Sequence, residues 1–71
     1  MTNTNLLKSV LVANGVTAES LADEMGISPQ SLSYKINNQR EFKLSEIQFI
    51  CNRFNLSLEV KESIFFTDNV E

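Results

Sequence analysis

The stretch TAESLADEMGISPQSLSYKIN, residues 17–37, writes the start of a helix twice, and its reading decides the architecture. Thr17 is suited to cap a helix, because its hydroxyl can accept one of the backbone N–H groups that a first turn leaves unpaired. Glu19 follows near the positive end of that helix, and Val16 is spaced to staple onto Leu21. Leu21, Ala22 and Met25 then share an inward face until Gly26 stops the helix. The pattern recurs at once, with Ser28 as cap, Pro29 at the first helical position and Ile27 stapling onto Leu32. At ~100° per residue Leu32 and Ile36 point one way, while Gln30, Ser33, Tyr34 and Asn37 point the other and Ser31 and Lys35 lie on a flank. A small side chain at Ala22 permits close approach of the two helices, and a positive φ at Gly26 permits a tight turn between them. The outward set on the second of them is uncharged and rich in hydrogen-bonding groups.

Outward from this stretch the helical spacing continues. Residues 5–14 form a first helix with Leu7, Val10, Leu11 and Asn14 along one stripe and Leu6 and Ala13 beside it, ended by Gly15 in the left-handed conformation. Residues 37–41 read as a polar loop. Phe42, Leu44, Ile47, Ile50, Cys51 and Phe54 then supply the apolar face of the main core helix, with Cys51 as a small buried hydrophobe and Asn55 as the C-terminal cap. Ser57 opens a last helix in which Leu56, Val60, Ile64 and one of Phe65 or Phe66 pack back on the bundle. The other of these adjoining phenylalanines either lines a partner surface or closes the core at a frayed end. The fold class is therefore all-α, a compact bundle of four or five helices in one domain, residues 1–66, followed by a disordered acidic tail, residues 67–71.

With 71 residues there is room for one hydrophobic core. A single cysteine and no histidine leave no intrachain disulfide and none of the usual Cys/His zinc sites. No cofactor and no metal are expected. Nor is an enzyme: glycine-rich phosphate loops are missing, and the adjacent acids Asp23 and Glu24, or Glu59 and Glu62, read as solvated helix surface, so no catalytic residue is assigned. A polar start followed by an amphipathic stretch predicts neither a signal peptide nor a membrane span, and hence a cytoplasmic protein.

Six basic residues face nine acidic ones, an awkward ratio for neutralising phosphates. The distribution is uneven. Between Gly26 and Lys43 there are three cations, Lys35, Arg40 and Lys43, against Glu41, a net charge of plus two, which leaves minus five on the rest of the chain. One mildly basic region sits on an acidic body.

The run Leu21-Ala22-Asp23-Glu24-Met25-Gly26-Ile27-Ser28 resembles the helix-turn-helix of the phage Cro and repressor (XRE-type) family, whose fold is lambda repressor-like. The likeness continues through Leu32-Ser33-Tyr34-Lys35-Ile36-Asn37 into Leu44-Ser45-Glu46-Ile47. It implies a transcription regulator of a phage lysogenic–lytic switch, acting in a bacterial host and binding double-stranded operator DNA as a homodimer. It also implies base contacts from Gln30, Ser31, Tyr34 and Ser33, and phosphate contacts around Thr17 and near Asn38, Arg40 and Lys43; Ser28 and Asn37 complete the set of DNA-binding candidates. The side chains suit those roles, since a Gln amide can pair with an adenine edge and a Tyr ring can pack on a thymine methyl. Two positions depart from the family pattern. Pro29 stands where relatives often carry a polar residue, and Lys35 where many carry an apolar one.

The acids of residues 17–37 support a second reading. Glu19, Asp23 and Glu24 lie on the helix that normally crosses the phosphate backbone, where they repel DNA. Together with Gln30 and Tyr34 they would suit an antirepressor that docks on the basic surface of a partner repressor protein.

Overall fold

The computed structural model describes residues 1–66 and places five helices in them: α1, Thr4–Ala13; α2, Ala18–Met25; α3, Pro29–Ile36; α4, Leu44–Phe54; and α5, Leu58–Phe65. The described residues contain no strand, as an all-α reading requires. The acidic tail expected at residues 67–71 lies outside the described residues.

Four of the five helices start on a side chain that accepts a first-turn N–H. Asn3, Thr17, Ser28 and Ser57 receive the amides of Leu6, Ser20, Ser31 and Val60. Thr17 and Ser20 cap each other reciprocally, the Thr17 amide donating to Ser20 Oγ at 3.2 Å and the Ser20 amide to Thr17 Oγ1 at 3.0 Å. Helix α4 is held differently: Lys43 occupies the cap position, and its backbone N–H donates to Glu46 Oε1 at 2.8 Å. Helix ends follow the left-handed pattern where the sequence supplies Gly or Asn, at Gly15 (φ 65°), Gly26 (φ 73°) and Asn55 (φ 55°).

The core joins all five helices, through Leu7 and Leu11, Leu21 and Ala22, Leu32 and Ile36, Ile47, Ile50 and Phe54, and Ile64 and Phe65. Phe65 is the inward member of its pair, stacking edge-on against Phe42 at 5.3 Å, and Phe66 is exposed. The N-terminal segment straps the ends of three helices together: the Asn3 amide donates to the Ile64 carbonyl at 2.6 Å, and Thr4 Oγ1 to the Ile36 carbonyl at 2.6 Å.

Four packing expectations need correction. Leu44 is 62% exposed, because the first residue of a helix aims its side chain back past the helix start, and Phe42 fills the core from the preceding loop. Cys51 is half-buried, though burial still pushes its thiol pKa up and keeps it in the unreactive protonated form. Asn14 leaves the core stripe to act as the C-cap of α1, its Nδ2 donating to the Val10 carbonyl at 2.8 Å. Lys35, expected on a flank of the outward face and counted there as a surface cation, is buried at 7% exposure, the only buried charged residue among those described.

A Cβ built at Gly26 meets nothing within 4 Å, so the cost of a side chain there is that of the left-handed backbone alone. Gly26→Ala is expected to destabilise the domain by about 1 kcal/mol in urea unfolding, and Gly26→Asn by less, because Asn tolerates that conformation.

Candidate nucleic-acid interface

Between α2 and α3 the chain reverses within three residues. Gly26 adopts its positive φ, the Ile27 amide returns to the Ala22 carbonyl at 3.1 Å, and Ser28 begins the next helix. Leu21, Ala22 and Leu32 are fully buried across the junction. Helix α3 is thereby held with Leu32 and Ile36 inward and Gln30, Ser33 and Asn37 exposed; Tyr34 and Ser31 are half-buried at the edges of that outward face.

The outward side chains are joined to one another. Gln30 Nε2 donates to Tyr34 Oη at 2.8 Å, and the Arg40 guanidinium lies 5.1 Å from the centre of the Tyr34 ring. One turn along, Asn37 Nδ2 donates to the Ser33 carbonyl at 2.9 Å and reaches Ser33 Oγ at 3.3 Å. Asn38 is engaged otherwise. Its Oδ1 accepts from the Thr2 amide at 2.8 Å and its Nδ2 donates to the Thr2 carbonyl at 2.9 Å, so the carboxamide keeps one N–H for any outside ligand. Thr17 and Ser28 use their hydroxyl oxygens as caps and retain their hydroxyl protons as donors. Lys43, exposed at the start of α4, and Thr17, at the start of α2, make no hydrogen bond to the Gln30–Tyr34–Arg40 cluster among the described residues.

Charge is distributed differently from the sequence count. The Lys35 ammonium pairs with Glu46 Oε2 beneath the surface, while the other oxygen of that carboxylate holds the Lys43 amide. Burial opposes the charge on Glu46, but its bonds to Lys35 and to the Lys43 backbone, with the fields of both lysines, keep its pKa below the ordinary carboxylate value. With Lys35 neutralised, the free charge between Gly26 and Lys43 is Arg40 and Lys43 against Glu41, a net of plus one rather than plus two. On α2, Glu19 and Asp23 are exposed, whereas Glu24 is bound by Arg53, whose Nε and Nη2 donate at 2.8 and 3.3 Å and whose own pKa is raised by the pairing. The repulsion expected from three acids is reduced to two.

Sequence reasoning missed the Lys35–Glu46 pair and the Thr2–Asn38 bridge. For the first, the spacing of Glu46 three residues after a cap position signals its bond to the Lys43 amide but not its pairing with Lys35 on another helix. The second joins residues far apart in the chain, and no local pattern announces it.

A family model described as Helix-turn-helix matches residues 7–61. The chain belongs to the XRE-type helix-turn-helix family. The matched span contains the whole of α2, α3 and α4. Membership makes the chain a DNA-binding transcription regulator, in a family that is typically non-enzymatic. Comparison with curated proteins and with solved structures gave no match. No helix among the described residues is long and apolar enough to cross a membrane.

Removing one partner of the Lys35–Glu46 pair leaves the other charge buried, so Glu46→Gln is expected to cost about 2 kcal/mol in urea unfolding at neutral pH. Because the folded-state pKa of Glu46 is depressed, its contribution is present above the unfolded value near 4.5 and is lost as pH falls through the lower folded value. The gap in stability between wild type and Glu46→Gln should therefore narrow below about pH 4.5; a constant gap down to acid unfolding would show that the pair does not hold α3 to α4.

Proposed function

We propose that the chain is a phage-type regulator of a lysogenic–lytic switch that binds its operator through α3, acting in the cytoplasm of a bacterial host. The observation that carries this reading is the composition of the outward face of α3: Gln30, Ser31, Ser33, Tyr34 and Asn37 are all uncharged hydrogen-bonding groups, and the one cation of the helix, Lys35, is withdrawn into the core. Such a face suits the donor and acceptor pattern of a major groove. Arg40 and Lys43 supply the free cations for phosphates, and Thr17, Ser28 and Asn38 supply hydroxyl and amide donors. The lysogeny role rests on the resemblance of residues 21–47 to the phage Cro and repressor family.

Two free cations near α3, Arg40 and Lys43, give a weak electrostatic hold, so a single subunit binds poorly. A homodimer that spaces two copies of α3 about one DNA turn apart, ~34 Å, meets the requirement. A second reading is favoured by one observation, the exposure of Glu19 and Asp23 on α2. With Gln30 and Tyr34, these acids would suit an antirepressor docking on the basic face of a partner repressor; Glu24, held by Arg53, would take part only if that pair opened.

Gel-shift titration on the chain's own upstream DNA, with and without a neighbouring repressor, separates the two. For operator binding, Gln30→Ala should weaken the complex by about tenfold or more, and Asp23→Asn should strengthen it by about twofold at low salt. The slope of log affinity against log salt should be shallow, about −2 per subunit, as two phosphate contacts give. Weakening of a repressor complex by Asp23→Asn would instead support the antirepressor reading. Absence of any shift at micromolar protein, alone or with repressor, would falsify the operator reading.

A further inference from the structure

Three side chains of the outward face are held in one arrangement before any ligand arrives, and Tyr34 is common to all of its contacts. Gln30 and Tyr34 stand four residues apart on α3, the spacing at which helical side chains meet. Arg40 belongs to the following loop and reaches the same ring by a backbone route. Asn38 takes a positive φ of 66°, and the chain folds back so that the amides of Gln39 and Arg40 donate to the Tyr34 carbonyl at 2.8 and 3.2 Å. The main chain of the loop is thus fastened to the backbone of the residue whose ring carries the guanidinium.

Resting on the operator reading above, we infer that Tyr34 is the positioning residue of this face, aiming Gln30 at an adenine edge and Arg40 at a phosphate. The chemistry of the Gln30 amide selects the base. One of its two N–H groups is given to Tyr34 Oη, which leaves one N–H and the carbonyl oxygen for a base edge. That remaining pair matches the acceptor N7 and the donor N6 of adenine in the major groove, and the bond to Tyr34 fixes which side of the amide faces out. A guanine edge offers two acceptors and would meet the amide oxygen with one of them. Arg40, stacked on the ring, keeps its N–H donors at its edge, free for phosphate oxygens. Holding both side chains in advance removes rotamer entropy that binding would otherwise cost.

The two halves of the role come apart by substitution. Tyr34→Phe retains the ring under Arg40 and deletes the hydroxyl that orients Gln30, whereas Tyr34→Ala deletes both. Selection from a pool of random-sequence duplex DNA measures base preference, and titration of one selected duplex at several salt concentrations measures phosphate contact. Wild type is expected to show an adenine preference at one position of each half-site, and Gln30→Ala to abolish it. Tyr34→Phe should reduce that preference by about fivefold, the loss of one hydrogen bond, with thermal melting and salt slope unchanged. Tyr34→Ala should reduce the preference and also flatten the slope by about one per subunit, as Arg40 loses its seat. Full adenine preference in Tyr34→Phe, or an altered preference at a different base pair, would overturn the inference, the latter because Tyr34 would then read a base itself. A wild-type protein that enriches no sequence overturns the operator reading and this inference with it; one whose Gln30→Ala variant loses the preference while Tyr34→Phe keeps it overturns the inference alone.

Discussion

With Gly26 in the left-handed region, the Ile27 amide reaches back to the Ala22 carbonyl and the chain turns sharply between two helices of eight residues each. Neither helix is long enough to persist alone in water, where nucleation is costly and short helices are marginal. What holds them is their mutual burial, with Leu21, Ala22 and Leu32 excluded from solvent at the junction. The caps at Thr17 and Ser28 set where each helix begins, so the turn, the caps and the core agree on one crossing geometry. Every outward residue of α3 inherits its direction from that agreement. A side chain on that outward face is therefore aimed in large part by buried residues, Leu21, Ala22 and Leu32, that no ligand touches.

The second constraint is scarcity of charge. Of the six basic residues, Lys35 is spent on Glu46 in a buried pair and Arg53 on Glu24 at the surface. Glu46 does more than neutralise Lys35, since its second oxygen holds the amide of Lys43, the residue that caps α4. One carboxylate thus ties the underside of the candidate reading helix to the start of the main core helix. An apolar residue in place of Lys35 would pack this contact hydrophobically. Here an ion pair occupies it, giving a directional contact where an apolar pair would give only packing.

Most of the architecture was legible in the sequence, because it rests on local rules. Caps at Thr17, Ser28 and Ser57, left-handed residues at Gly15, Gly26 and Asn55, and the 3.6-residue spacing of the apolar side chains each act over a few neighbours. The failures arose where the outcome depends on distant parts of the chain. Lys35 lies at the edge of the apolar stripe, and only the presence of Glu46 on α4 makes its burial tolerable. Leu44 has the right period but stands at the end of its helix, beyond the reach of the core that Phe42 already fills. For the candidate site, periodicity identified the face of α3, and it could not reveal that Asn38 is tied to Thr2 or that Arg40 lies over Tyr34. Those contacts follow from how a loop closes, which depends on both of the elements it connects.

Scarcity of free cations and pre-arrangement of the polar face bear on each other. A DNA-binding protein with many phosphate contacts can tolerate loosely held base-reading side chains, because electrostatic attraction, which carries no sequence information, supplies the affinity. On the proposal that α3 meets the operator, Arg40 and Lys43 are the free cations near it, and a larger share of the binding free energy would come from hydrogen bonds to base edges. Those bonds are worth their full value only when donors and acceptors are already oriented, since each unfixed side chain loses rotamer freedom on binding. The bonds among Gln30, Tyr34 and Arg40, and between Asn37 and Ser33, reduce that loss. On that proposal the face would be a poor general binder of DNA: without a matching sequence, a net local charge of plus one beside the exposed Glu19 and Asp23 offers little to hold on to. Acidic residues on α2 weaken binding to every sequence alike, so on the operator reading they lower occupancy overall and leave the difference between matched and unmatched sequences to the base contacts.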